Sequence, residues 1–215
     1  MARVARSRNF AYQSGMAADQ IIALLIGYAL GSIPFGLVLT RFAGKGDLRD
    51  IGSGNIGATN VLRTGSKGLA AATLLLDAAK GAAAVWIAQA YFPGSEQFAG
   101  ERFAAAGALV GHLYPVWLKF KGGKGVATLL GILIPLLPVA AAVYAAVWLI
   151  LLLTIRISSV AGMAAAASAP VTAAVLGEKI LFPMLLGFAL LVLWKHRANL
   201  VRLKARTEPR IGTGG

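Results

Sequence analysis

The stretch VATLLGILIPLLPVAAAVYAAVWLILLLT, residues 126–154, holds no charged side chain and carries Pro135 and Pro138. It exceeds the roughly 20 residues that one helix needs to cross a hydrocarbon core. Proline removes a backbone donor and clashes with the preceding helical turn. The two prolines therefore predict a short span to about Leu136 and another from Pro138 to Thr154. That division sets the parity of the chain.

Upstream, the first apolar run predicts a span over Gln20–Phe42, followed by a polar, glycine-rich stretch, Ala43–Lys67. A second span is predicted over Gly68–Phe92, ended by Pro93 and Gly94, with Ser95, Glu96 and Glu101 in a short acidic linker. A third span covers Phe103–Leu118 and leads into the loop Lys119–Gly125. Downstream, spans are predicted over Ser159–Leu176 and Ile180–Trp194, before a basic tail. The fold class is thus an all-α polytopic membrane protein with seven transmembrane helices.

Charge tests the count. With seven spans, the loops at 43–67 and 119–125, the Arg156 turn and the tail share one face. That face holds Lys45, Arg49, Arg63, Lys67, Lys119, Lys121, Lys124, Lys195, Arg197 and Arg202, while the opposite loops hold only the cations Arg102 and Lys179. Such a bias makes the basic face cytoplasmic. Six spans would put the tail opposite the 119–125 loop. Only Arg3, Arg6 and Arg8 break the pattern. They lie in residues 1–18, a polar segment predicted to be an N-terminal extension, with Met16 as an alternative start. Residues 19–215 form the single seven-span domain.

Composition agrees. Of 215 residues 58% are hydrophobic, and mean hydropathy is +0.73; a soluble domain is nearer half apolar. The net charge is +13. In a membrane protein this suits anionic substrates and headgroups rather than nucleic acid. With no cysteine in the chain, disulfides, thiolate metal sites and a thioester intermediate are excluded.

The chemistry concentrates in three places. Gly52–Arg63 mixes Gly52, Gly54 and Gly57 with Ser53, Asn55, Thr59, Asn60 and Arg63. Glycines let successive backbone N–H groups form an anion nest, and arginine grips phosphate in a bidentate manner. The alternative is a solvated linker. The loop Lys119–Thr128 brings Lys121, Gly122, Gly123, Lys124 and Gly125 to the start of a span. A helix N-terminus there favours anions; the alternative is a row of positive-inside anchors. Lys124 is followed by Gly125 rather than Ser or Thr, so the loop is not a Walker A motif. His196 and Asn199 share a face if the last helix continues. Asp77 and Lys80, at the same spacing inside the second span, are predicted to form a structural ion pair. His112 and Tyr114 are supporting groups or interface anchors. No carboxylate pair, Ser-His-Asp set or metal cluster is evident, and no base adjoins Ser53. The residues suit holding anions more than supplying an acid and a base.

These residues resemble the bacterial acyl-phosphate:glycerol-3-phosphate acyltransferase family (PlsY). The likeness runs through Gly31–Gly36, Asp47–Arg49, Gly52–Arg63, Asp77–Gly81, Gly111-His112, Lys119–Thr128 and His196–Asn199. It implies a seven-span protein of the bacterial inner membrane with a cytoplasmic site. The implied reaction moves an acyl chain from acyl phosphate to the sn-1 hydroxyl of glycerol 3-phosphate, giving lysophosphatidic acid and phosphate. This is the first step of phospholipid biosynthesis. No cofactor or metal is implied; the partners are the two substrates and membrane lipid. The resemblance gives catalytic roles to Ser53, Arg63, Lys124, His196 and Asn199. It gives phosphate-binding roles to Gly52, Gly54, Asn55, Gly57, Thr59, Asn60, Lys121, Gly122, Gly123 and Gly125. Two positions depart from many members: Gly162 stands where a second serine is common, and Arg206 where glycine is. A transporter of organic phosphates and a lipid-binding structural protein are the rival classes. A carrier, however, expects its site near the bilayer midplane, and these residues gather on one face.

Overall fold

The computed structural model describes residues 2–93 and 99–212, with side chains from residue 17 onward. Ser95 and Glu96 of the acidic linker lie outside the described residues, as do the side chains of Arg3, Arg6 and Arg8. The described residues contain no strand. Their helices are α1 (Ala2–Gly31), α2 (Phe35–Phe42), α3 (Ala58–Leu62), α4 (Lys67–Tyr91) and α5 (Gly100–Leu113). After them come α6 (Val126–Leu136), α7 (Pro138–Thr154), α8 (Ser158–Val175), α9 (Leu181–Lys195) and α10 (Arg197–Lys204).

The prolines at 135 and 138 act unequally. Pro138 opens α7 at its first turn, where a missing N–H costs nothing. Pro135 sits in the last turn of α6, and Leu137, with φ −154°, makes the break. Elsewhere the elements differ from the expected spans. The run Gln20–Phe42 is two helices, because Pro34 cannot donate and disfavours helical φ/ψ at Ile33. Pro115 likewise ends α5 at Leu113, so the third span does not reach Leu118. The last helix does not continue past Lys195: the chain bends by 58° at His196 before α10.

Among the described residues, three helical stretches are long and apolar enough to cross a membrane: Ala17–Phe42, Lys67–Tyr91 and Ser158–Val175. The bent α9–α10 pair makes a fourth if taken as one span, while α6 and α7 are shorter apolar helices.

Close packing rests on small residues. Gly27 and Gly31 of α1 meet the backbone of Ala104 and Ala108 on α5. Gly107 and Gly111 of α5 meet the carbonyls of Leu24 and Tyr28 in return, and a Cβ at any of the four would overlap main chain. Helices in lipid lack a hydrophobic drive to associate, so such close approach replaces it. The small-residue helix α8 buries Ala161, Ala165, Ala166, Ala169 and Ala173. Leu25, Leu75, Leu153, Val175 and Leu190 stay exposed on the outside of the bundle, as a helix surface facing acyl chains would. Tyr144, fully buried on α7, donates its hydroxyl to the Val126 carbonyl at 2.9 Å and ties α7 to the head of α6.

Candidate active site

A cavity of about 780 Å³ is lined by all three sequence regions singled out above. Ser53, Asn55, Gly57, Thr59, Asn60 and Arg63 come from the first, Lys124 and Gly125 from the second, His196 and Asn199 from the third. Gly52, Gly54, Lys121, Gly122 and Gly123 do not line it.

The first wall is folded by two polar anchors. Asp47 accepts from the Arg49 backbone N–H and side chain and from Arg41, at 2.6 to 3.0 Å. The Arg49 guanidinium holds the Asp47 carboxyl well below the usual carboxylate range, with help from the Arg49 N–H and Arg41. Asn60 is the second anchor. Its amide donates to the Leu48 and Ile51 carbonyls, both at 2.9 Å, while its Oδ1 accepts from the Ser53 N–H, the Ser53 hydroxyl and Arg63. Both ends of the Asn60 amide are thus committed to the loop. Gly52, at φ +53°, leaves room for the Arg63 side chain, which a Cβ would strike. The glycine freedom seen in the sequence here serves approach to Arg63. Gly57 caps α3 and faces the cavity together with Ala58 and Thr59.

The second wall is the head of α6. Gly125 adopts φ +87° as its N-cap, and Val126 and Ala127 follow on the cavity surface. The first N–H groups of a helix have no intrahelical partner, so they offer donors and positive potential to an anion. Gly122 and Gly123 play another part: their N–H groups donate to the Leu113 and His112 carbonyls at 3.2 and 2.9 Å. Lys121 is exposed.

Lys124 points the other way, and its Nζ donates to Asn199 Oδ1 at 2.5 Å. Burial, eased in part by Glu208, pushes the Lys124 ammonium down to about 8. Asn199 donates in turn to Glu208 Oε1, as does the Ser159 hydroxyl, while Arg202 Nε reaches Oε2 at 2.7 Å. Burial raises the Glu208 carboxyl, but these three donors outweigh it and hold it below its ordinary value. His196 sits at the 58° bend. Its Nδ1 lies 2.8 Å from the Val192 carbonyl, which can only accept. Nδ1 therefore carries the proton, and Nε2 is left as an acceptor. Burial pushes His196 down to about 4, so the ring is neutral near pH 7. His196 and Asn199 do meet at the cavity, through the bend rather than along one helix face.

Asp77 and His112 also line the cavity. Lys80 Nζ lies 2.6 Å from Asp77 Oδ1, the ion pair expected within the second span, and donates to the Ile33 carbonyl at 2.7 Å. That carbonyl belongs to the break before α2.

Sequence reasoning missed Glu208 as a member of the site. Its signal was present: it is the one acidic residue after Lys179 in a basic tail. The tail forms part of the wall through Glu208, Pro209, Arg210, Ile211 and Gly212. It is fastened where Ile211 N donates to the Arg156 carbonyl at 2.7 Å and Arg156 Nε donates to the Ile211 carbonyl. Arg206, where glycine is common, has φ +57°, the left-handed region that favours glycine.

A family model described as glycerol-3-phosphate acyltransferase matches residues 21–206. A glycerol-3-phosphate acyltransferase of Erythrobacter litoralis is 56% identical over 194 residues, covering 90% of this chain and 96% of the relative. One from Methylorubrum extorquens is 54% identical over 195 residues, covering 91% and 94%. Among solved structures, the chain is similar to PlsY, an integral membrane glycerol 3-phosphate acyltransferase, in its glycerol 3-phosphate form. The TM-score is 0.83 at 37% identity, covering 90% of this chain and 96% of that one. The lysophosphatidic acid form of PlsY gives 0.80 at 36% identity, with the same coverage.

Proposed function

From the premise that the chain belongs to the glycerol-3-phosphate acyltransferase family, we propose that it transfers an acyl group from acyl phosphate to the sn-1 hydroxyl of glycerol 3-phosphate. The products are lysophosphatidic acid and inorganic phosphate, and the step opens phospholipid biosynthesis. One observation carries the reading. Arg63, Lys124 and the N-terminal turn of α6 converge on one cavity beside a neutral His196, and the two carboxylates on its wall, Asp77 and Glu208, are each paired with a cation, Lys80 and Arg202.

Arg63, Lys124 and the free N–H groups at the head of α6 hold the two phosphates. His196 Nε2 and Asn199 orient glycerol 3-phosphate, His196 by accepting from a hydroxyl. The sn-1 oxygen attacks the acyl carbonyl carbon; backbone N–H groups, with Ser53, stabilise the oxyanion. The new ester C–O bond forms as the carbonyl carbon to phosphate-oxygen bond breaks. The hydroxyl proton passes to a phosphate oxygen of the donor. A histidine held near 4 is a weak base at neutral pH, which favours this substrate-assisted route. Holding both reactants in line supplies much of the rate. The seven-span arrangement in the inner membrane, with this cavity cytoplasmic and residues 1–18 an extension, belongs to the same proposal.

The test is stoichiometry and regiochemistry. Purified protein supplied with palmitoyl phosphate and glycerol 3-phosphate yields one phosphate per ester, and NMR places the ester at sn-1. Flux of glycerol 3-phosphate across vesicles with the acyl phosphate intact would instead establish a carrier.

A further inference from the structure

Resting on the roles proposed for Lys124 and His196, we infer that the C-terminal turn of α5, His112-Leu113-Tyr114, is the positioning hub of the active site. The last carbonyls of a helix have no intrahelical partner and seek donors elsewhere. Here the three together accept from the loop before Lys124, from the residue before His196 and from α1. The His112 carbonyl takes the Gly123 N–H, and the Leu113 carbonyl takes the Gly122 N–H, fixing the loop immediately before Lys124. Leu113 O also accepts Lys195 Nζ at 2.9 Å, and the Lys195 ammonium lies 4.4 Å from the centre of the Tyr114 ring. Lys195 immediately precedes His196. The Tyr114 carbonyl accepts the Tyr28 hydroxyl of α1 at 2.9 Å.

The His112 imidazole completes the hub. It is buried, with Nδ1 3.7 Å from Asp77 Oδ1. Its other edge faces Gly123 so closely that a Cβ there would strike Nε2. The ring is thus packed between the Asp77 carboxylate and the Gly123 backbone, a place from which it positions the loop before Lys124. Through Asp77 and Lys80 the turn also reaches the Ile33 carbonyl at the break between α1 and α2. One turn of helix thus sets the relative positions of Lys124 and His196.

The test is a double-mutant cycle of His112→Leu with Lys124→Arg, reading kcat, KM for glycerol 3-phosphate and the melting midpoint. If His112 acts through Lys124, His112→Leu lowers kcat by about 10- to 100-fold, with KM changed less. The double variant then falls within about threefold of the poorer single variant, because the two losses are coupled. Gly123→Ala paired with Lys124→Arg is read the same way and presses the loop and the His112 ring apart with no substitution in α5. Losses that multiply, or a kcat within about twofold of wild type in both His112→Leu and Gly123→Ala, overturn the hub. So does collapse of the melting midpoint in both variants, which would reduce the turn to packing. A wild-type chain that makes no lysophosphatidic acid brings down the proposed function and the hub together. Additive losses in an active wild type bring down the hub alone.

Discussion

Lys124 is a half-buried cation on the cavity wall. Its ammonium, held at about 8 by burial, must be protonated to hold a phosphate. Since the folded value is depressed, the cation is lost as pH rises through about 8, and kcat/KM should fall over that window. Lys124→Arg should remove that alkaline limb, because arginine stays charged. A limb that survives the substitution would assign it elsewhere. His196 is depressed in the same sense: held near 4 by burial, it is already neutral and gives no acid limb between about pH 5.5 and 7. His196→Ala should lower the rate by about 10- to 100-fold in that window; an unchanged rate removes His196 from the site. Glu208 holds Ser159, Asn199 and Arg202 together. Removing one partner of such a network costs about 1–3 kcal/mol, so Glu208→Ala should lower the melting midpoint in detergent by several degrees. The polar candidates were legible in the sequence because lysine, arginine and glycine are conspicuous between apolar runs. Their division of labour was not. Asn60 reads as a ligand but spends both ends of its amide on the loop, and hydrogen-bond partners distant in sequence leave no trace in local spacing.

At the scale of elements, α6 and α7 were legible because Pro135 and Pro138 act on the backbone directly. The same rule applied to Pro34 and Pro115 would have broken the first span and shortened the third. Apolar continuity hid both, since hydropathy counts side chains and not backbone donors. The pairing of α1 with α5 was hidden for another reason. Lipid tails are as apolar as leucine, so no hydrophobic stripe marks the face a membrane helix turns to its neighbour. The glycines at 27, 31, 107 and 111 mark it instead, by the main chain that each one touches. Gly107→Val would force a side chain into the Leu24 carbonyl. Overpacking of this kind costs about 1–3 kcal/mol. The expected result is a lower melting midpoint and less monodisperse protein; Gly187→Val, where a Cβ meets open space, should leave both unchanged.

Across the whole molecule, the charge asymmetry predicts which face carries the cavity. The chain has no native cysteine, so single cysteines report cleanly. Lys45→Cys and Lys179→Cys both sit at exposed positions. A membrane-impermeant maleimide should label the first only in inside-out vesicles and the second only in right-side-out ones. Labelling of both from one side would break the seven-span parity. The choice of acyl donor decides the reaction. Purified protein receives labelled glycerol 3-phosphate with palmitoyl phosphate in one tube and palmitoyl-CoA in another. Labelled lysophosphatidic acid with palmitoyl phosphate alone is the predicted result. Product from the CoA ester, or none from either donor with a folded protein, would contradict it.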